Sequence, residues 1–423
     1  MANSFSKEER VAFEDILEGF NDALVLSRNV SVYRTDGTMM ERTNNVIWRP
    51  QPYIAQSYNG MDQTLNFTEF TQLSVPSTLG FQKSVPWIMD ALELRDALQE
   101  GRLGDAAKQK LASDVNLAVM NVAANLGSLV VRTTASAGSY DDVAACDTIM
   151  NEQGVQMFDR YLALSSRDYN GMAGNLAVAT RSFGNQISDE AYRRGFVGTV
   201  AGFQTYKFDY ANRIRGATGA DPTIDTQAAA GNYWVPVATS VAATGESANV
   251  DNRFQTVTVN STANLLAGDA ITIDGVVAVH HITKQSTGEL KTFRVVQVLT
   301  GTTCVITPPI ISAQGGTDAE LQYQNVIVTP SAAATVDRLN VDAAPINCFW
   351  QKDALELLPG RYAVPADAGA AVMRASTDQG IELVMQKQYD VNTMKTKYRL
   401  DCLFGVVNKQ PEMSGILLFG QTP

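Results

Sequence analysis

Histidine is nearly missing from this 423-residue chain, with only His280 and His281 present. A Ser-His-Asp triad would need one of them as its base, and no Gly-x-Ser-x-Gly elbow supplies a nucleophile. Adjacent residues on a strand point to opposite faces, so the two cannot chelate one metal together. A surface or barrel-lining role is expected for both. Cysteine is almost as scarce, at Cys146, Cys304, Cys348 and Cys402, with no Cys-x-x-Cys pair. That spacing excludes a zinc ribbon and reads as free buried thiols in a reducing compartment. Charge is thin at 18%, against about 25% in ordinary globular chains. Its balance, 33 Lys and Arg against 44 Asp and Glu, gives −11, which argues against a duplex-binding protein. No run approaches about 18 uncharged apolar residues, so no membrane span is expected. Met1–Phe20 is rich in Glu, has no apolar core segment and does not read as a signal peptide. Gly-rich phosphate loops and internal repeats are also missing. Gly216-Ala217-Thr218-Gly219 looks superficially like such a loop but opens no helix, and reads as a linker.

Apolar residues, at 45%, are ample for sizeable cores. Residues 5–27 predict an amphipathic helix, with Phe13, Ile16, Leu17, Phe20 and Leu24 at three- and four-residue steps. Ser6 followed by Glu9 predicts a capping box. Glu14, Glu18 and Asp22 form an acidic stripe on another face, either a solvated face or a docking face for a basic helix. Residues 104–130 predict a long helix whose stripe is Leu111, Val115, Ala118, Val119, Val122, Leu126 and Leu129. A further helix is expected from Asp141 or Asp142, as N-cap, to Gln153, with Gly154 stopping it. A short helix capped by Ser188 follows.

Residues 45–86 have an extended texture, with Tyr58-Asn59-Gly60 as a turn signal. They read as a long two-stranded loop with too few apolar residues for a core of its own. From about residue 221 helical periodicity stops. Six short β-rich runs appear: Tyr233–Val237, Phe254–Val259, Ala270–Ile273, Val276–Val279, Thr292–Val298 and Thr303–Ile306. They predict a small inserted β-barrel or sandwich. Ala238 to Asn249 is small and polar, so it should project as a loop with its tip near Thr244-Gly245-Glu246. Residues 346–420 return to strands, clearest at Ile381–Met385, Tyr398–Val407 and Gly415–Phe419.

Extended arms, a rigid plate and no legible chemistry suit a polymer-forming protein. The chain resembles the major coat proteins of short-tailed bacteriophages that infect Salmonella, Shigella and related enteric bacteria. The most specific stretch is Val250-Asp251-Asn252-Arg253-Phe254, then Thr256-Val257-Thr258, Gly268-Asp269, Gly275-Val276, Phe293-Arg294-Val295-Val296 and Ile306-Thr307-Pro308. Ile47-Trp48 with Pro50, Gly127-Ser128-Leu129-Val130, Glu190-Ala191-Tyr192-Arg193, Ala201-Gly202-Phe203, Asn347-Cys348-Phe349-Trp350 and Gly420-Gln421-Thr422 also fit.

The resemblance implies an α+β protein with the tailed-phage capsid fold and an inserted six-stranded β-barrel domain. The implied division is an N-terminal arm at 1–30, an extended loop region at 31–86 and a peripheral domain with a spine helix at 87–135. An axial domain follows at 136–221, the inserted barrel at 222–344, the axial return at 345–380 and the peripheral C-terminal strands at 381–423. It implies a non-enzymatic capsid protein, without cofactors or metal, that assembles with a scaffolding protein into an icosahedral shell of hexamers and pentamers. The implied partners are a portal protein and packaged double-stranded DNA without specific binding, with no membrane. Its place is the virion capsid, and the host cytoplasm during assembly. Glu14, Glu18 and Asp22 are the expected scaffold contacts. Trp48, Tyr58, Asn59, Gly60, Arg102 and Glu246 are the expected intersubunit contacts, with Arg102 on an exposed turn as partner for Glu246. The β-rich block alone also suggests a carbohydrate-binding or adhesin-like module, with Tyr233 and Trp234 as its only close aromatic pair. A hydrolase with an unrecognised site is the third reading.

Overall fold

A computed structural model describes the chain apart from residues 1–4, 6, 34–45, 53, 56, 58, 65–66, 68–69, 91–96, 137, 180–196, 209–211, 226–231, 365–369 and 423. The expected helix at Ser188 and the Glu190–Arg193 motif lie outside the described residues, as do Ser6 and Tyr58. The chain divides into two compact units. One comprises 1–47, 77–120 and 355–407, and the other 48–76, 121–354 and 408–423.

In the first unit the amphipathic pattern yields helix Lys7–Ala23, with Phe13, Ile16 and Phe20 buried. The second helix, Ala97–Leu126, starts seven residues before the expected position. Two glycines explain how the helices approach. A Cβ on Gly104 would sit 2.6 Å from Ile16 Cδ1, and one on Gly19 would sit 2.6 Å from Lys108 Nζ. Asn116 of the long helix closes the end of the first, donating to the Ala23 carbonyl at 3.0 Å and accepting from Leu26 N at 3.2 Å. Leu111, Val115 and Val119 are fully buried, together with Ala112, Met120 and Ala123. Val122 and Leu126, expected in the same stripe, are only half-buried. The helix also ends earlier than expected, so Leu129 begins strand Leu129–Arg132. Gly127 allows that exit, because its Cβ would meet Gly415 N at 3.0 Å. The unit's sheet centres on Lys395–Asn408, which pairs antiparallel with Glu382–Asp390 and with Phe81–Asp90. Trp87 stacks on Tyr398 across it, with centroids 5.6 Å apart. Glu9 Oε1 reaches Lys387 and the Tyr398 hydroxyl, the latter at 3.1 Å, while Ser6, its expected capping-box partner, lies outside the described residues.

In the second unit a six-stranded sheet runs Leu129–Arg132, Ser414–Leu418, Asn347–Gln351, Arg160–Ser165, Phe203–Phe208, Thr199–Val200. Helices Tyr140–Glu152 and Ser166–Ala179 cover it, burying Val143, Cys146, Met150 and Met172 against Leu162, Phe203 and Phe349. The N-cap of the first of these is Ser139, not Asp141 or Asp142. Asp142 closes the capping box instead, accepting from Ser139 N at 2.7 Å.

The inserted block folds as a five-stranded sheet, not six strands: Gln255–Thr258, Thr303–Thr307, Ser286–Val298, Ala270–Val279, Val336–Arg338. Two expected strands are one, since Asp274-Gly275 forms an irregularity inside Ala270–Val279 rather than a turn between strands. Tyr233–Val237 is not a strand. Residues 222–225 bond to both outer strands, with Asp225 N donating to Thr258 O and Val336 N to Pro222 O, so the sheet's two outer edges are tied together. The block's core is drawn entirely from residues 224–336, including Ile224, Val257, Ile271, Phe293, Val295, Ile306 and Val336. All four cysteines are free and buried.

Candidate functional site

Glu14, Glu18 and Asp22 are all solvent-exposed on one stripe of helix Lys7–Ala23. Asp22 lies 3.6 Å from Arg28, a pair exposed on both sides and so energetically weak.

In the extended segment, strands Val46–Pro50 and Ser74–Thr78 pair with each other. Trp48 is half-buried within its own chain. Asn59 and Gly60 are exposed, and Gly60 has φ +106°, a conformation that favours glycine. The groups that stand out are ones the sequence reading did not choose. Met61, Phe67 and Phe70 are 105%, 88% and 58% exposed. Large apolar side chains left in water on a segment without a core mark a contact surface. Their signal was present in the sequence as large apolar residues with no periodic partners.

Residues 239–249 form a two-stranded hairpin, Thr239–Val241 with Ser247–Asn249, and every strand residue is exposed. Its turn closes through Ala242 N to Glu246 O at 2.9 Å, and Gly245 takes φ +86°. Glu246 is exposed near the tip. Such a hairpin is marginal alone, and Asn252 clamps its base by accepting from Val237 N and donating to Val237 O at 2.8 Å. Arg102 is not on an exposed turn: residue 102 lies inside helix Ala97–Leu126, because the helix runs on through Gly101 and Gly104.

A second feature is buried. The insert meets the six-stranded sheet of its own unit through a polar junction. Glu412, in the turn before strand Ser414–Leu418, has Oε1 2.6 Å from Lys291 Nζ and Oε2 3.1 Å from His281 Nε2. Asn325 Nδ2 donates to Glu412 Oε1 at 3.1 Å. Lys291 Nζ also donates to Gln153 Oε1 at 2.5 Å. Burial works against the Glu412 charge, but His281 and Lys291 together hold its pKa well below the usual carboxylate range. Lys284, close by, donates to the Gln322 and Gln324 carbonyls, and burial lowers its pKa to about 8. His281 is therefore neither on the surface nor lining the barrel. His280 sits in a turn, where Nδ1 accepts from Ile282 N and Thr283 N and its ring lies against Gly154.

The Asp251-Asn252-Arg253 motif belongs to this junction. Arg253 is held by both Asp251 oxygens, at 2.9 and 2.6 Å, and donates to the Asn408 carbonyl at 2.8 Å. The small pocket beside Arg253, His281, Asn325 and Glu412 has a volume of about 30 Å³, room for a water or two rather than a substrate. The Gly216–Gly219 loop is no phosphate cradle, because Arg338 takes the carbonyls of Thr218 and Gly219 at 2.9 and 2.7 Å. Phosphate binding needs amides turned inward, not carbonyls. Trp234 packs with Leu73, Ile311 and Tyr323, and its Nε1 donates to Asn252 at 3.1 Å. It serves the fold rather than a sugar-stacking groove. Among the described residues no group of three His, Cys, Asp or Glu could hold a metal, and no helix is long and apolar enough to cross a membrane.

Residues 1–420 match a family model described as P22 coat protein, gene protein 5. Among solved structures, the CUS-3 coat protein I-domain is 34% identical over 31% of this chain and 96% of that chain, with a TM-score of 0.20. A Mycobacterium phage Che8 chain is 9% identical over 93% of this chain and 90% of its own, with a TM-score of 0.44. A chain of the bacteriophage PhiM1 mature capsid is 11% identical over 100% and 89%, with a TM-score of 0.43.

Proposed function

The chain belongs to the P22 coat protein family and is a major capsid protein of the phage shell, and from that premise we propose how its surfaces build the particle. The shell is icosahedral, made of hexamers and pentamers, and assembles with a scaffolding protein in the host cytoplasm. It carries a portal protein and encloses double-stranded DNA that it does not bind specifically, in keeping with the net charge of −11. The sequence resemblance supports a short-tailed phage of Salmonella- or Shigella-type hosts. The family divisions proposed for the chain are arm, extended loop, peripheral domain, axial domain and insert, with the boundaries given above. It performs its role through repeated non-covalent contacts and needs no catalytic centre.

The family match across residues 1–420 carries this reading, because it takes in the arms and the insert as well as the sheets. The acidic stripe Glu14, Glu18 and Asp22 is the proposed scaffold contact. Intersubunit contacts are proposed for the segment around Trp48, Tyr58, Asn59 and Gly60, extended to Met61, Phe67 and Phe70. Glu246 is proposed to meet a cation of a neighbouring subunit, with Arg102 the first candidate. Co-expression with the products of its neighbouring genes, followed by electron microscopy, tests the proposal. Closed shells of uniform diameter that depend on one basic helical partner are expected. Uniform shells formed without any partner would remove the scaffold from the reading.

A further inference from the structure

One buried charge at the junction has no hydrogen-bond partner. Arg294 is 0% exposed, and neither its Nε nor its two terminal nitrogens has a partner. It stands on strand Ser286–Val298 between Phe293 and Val295, whose side chains fill the insert's core. Alternation turns Arg294 to the opposite face of the sheet. Thr292 shares that face, and its hydroxyl donates to the Ser128 carbonyl at 2.8 Å, so the face lies against the rest of the unit.

Two neighbours flank Arg294 across the ladder, Ala270 on one side and Thr307 on the other. Residues directly opposite in an antiparallel pair share a face, with Cβ atoms about 4.5–5.5 Å apart. Thr307 is also 0% exposed, and its hydroxyl has no partner. Ala270 is small and fully buried. An unsatisfied guanidinium and an unsatisfied hydroxyl therefore project from directly opposed positions on one face, next to a short side chain.

The Asp269 carboxylate favours the Arg294 charge through space but makes no hydrogen bond to it. The carboxylate of Asp269 is committed elsewhere: Oδ1 accepts from Asn340 Nδ2 at 3.1 Å, and Oδ2 accepts from Arg215 Nη2 at 3.0 Å and Leu266 N at 2.8 Å. The Cys348 thiol is pushed up to about 12 by burial and stays neutral. Burial lowers Arg294 only to about 10, so it is charged at neutral pH. Water could satisfy its N–H groups but not its charge, and an isolated buried charge is far costlier than an unmade hydrogen bond.

We propose that Arg294 and the Thr307 hydroxyl hold a small monovalent inorganic anion, such as chloride, between the insert's sheet and the rest of its unit. One cation and one hydroxyl match a single negative charge, and a divalent ion would bring a second charge with no partner. The anion helps fasten the insert and makes the stability of the subunit depend on halide.

The test is thermal unfolding of the full chain at constant ionic strength, with sodium chloride exchanged stepwise for sodium gluconate, whose anion is far larger than chloride. The expected result is a saturable rise in Tm with chloride, of order 1–2 °C. The rise should vanish in Arg294→Met and weaken in Thr307→Val. Equal melting of the wild type in both salts would overturn the proposal, as would a full chloride response retained in Arg294→Met. Should Arg294→Met not fold, chlorine NMR of the wild type decides. Excess line broadening displaced by bromide supports the site, and its absence refutes it.

Discussion

Lys291 Nζ and Glu412 Oε1 are 2.6 Å apart, with their side chains 1% and 10% exposed. This ion pair joins the insert's longest strand to the turn before the last strand of the chain. Each partner has further support, Lys291 from Gln153 and Glu412 from Asn325 and His281. The pair is thus a fastening between two parts of one unit rather than a surface decoration.

Glu412→Gln should be severely destabilising. It leaves the Lys291 ammonium buried with only neutral acceptors and no counter-charge, a change that costs about 3–5 kcal/mol. The double variant Lys291→Met with Glu412→Leu should lose less than Glu412→Gln alone, because it removes both charges together. The pH dependence follows from the lowered pKa of Glu412 in the folded chain. A depressed carboxylate contributes stability that is present above the unfolded value, roughly 4.3. That contribution is lost as pH falls through the folded value. Wild type and Glu412→Gln should therefore converge in stability on acidification. Equal denaturation midpoints at pH 7 would contradict the pair's role.

Lys284 gives a slope of the same sign in an alkaline window. Burial lowers it to about 8, against roughly 10.4 in an unfolded chain. Between those values the unfolded chain binds the extra proton, so stability rises with pH. Lys284→Met should remove that rise. The difference between the two proteins, measured by chemical denaturation from pH 7 to 10.5, cancels the other titrating groups. A wild-type slope identical to that of the variant would show that Lys284 titrates normally.

The long helix offers a test of packing. Leu111, Val115 and Val119 are fully buried, so truncating Leu111 to Ala should cost about 2–5 kcal/mol. Val122 is half-buried, and Val122→Ala should cost clearly less than Val119→Ala. Indistinguishable melting curves for those two valine variants would contradict the observed face of the helix.

That difference shows what a sequence reveals and what it hides. Phe13, Ile16 and Phe20 declare their helix because one periodic face is buried. Strands such as Glu382–Asp390 declare themselves through β-branched and apolar runs bounded by turns. The start of the long helix was hidden because Gly101 and Gly104 look like breakers. Yet Gly104 is needed where Ile16 crosses, and tertiary packing overrides its poor propensity. Strand Val336–Arg338 is too short to show a period. The junction was not legible at all. Gln153, His281, Lys291, Asn325 and Glu412 come from distant parts of the chain, and no spacing rule connects them.

The acidic stripe is testable without disturbing the fold. Glu14, Glu18 and Asp22 are exposed, and single exposed ion pairs contribute at most about 1 kcal/mol. Reversing all three to Lys should leave the melting curve of the subunit within about 1 kcal/mol while lowering scaffold incorporation. The loss should be largest at low salt, where screening is weakest. Normal incorporation at low salt would show that the scaffold docks elsewhere.

The hairpin at 239–249 should matter to the shell and hardly at all to the subunit. Its strand residues are all exposed, and none of its side chains belongs to the insert's core. Asn252 and the backbone contact between Val250 N and Ala238 O hold its base, so removing the tip leaves that clamp intact. Deleting 243–247 should therefore shift the full chain's Tm by no more than about 1 °C, the effect of a surface change. The contact proposed for Glu246 would contribute only about 0.2–1 kcal/mol for each exposed pair. It would recur at every equivalent junction of a closed shell, and it would fix an angle between capsomers rather than their existence. The expected phenotype is thus particles of the wrong curvature, such as tubes and oversized shells, and not soluble monomer. Glu246→Lys should reproduce it in milder form, and a reversed cation on the neighbouring subunit, tried first at Arg102 as Arg102→Glu, should restore regular shells. A deletion that unfolds the subunit would place the segment in the core of the insert. A deletion that still gives uniform shells would show that the hairpin makes no contact that sets curvature.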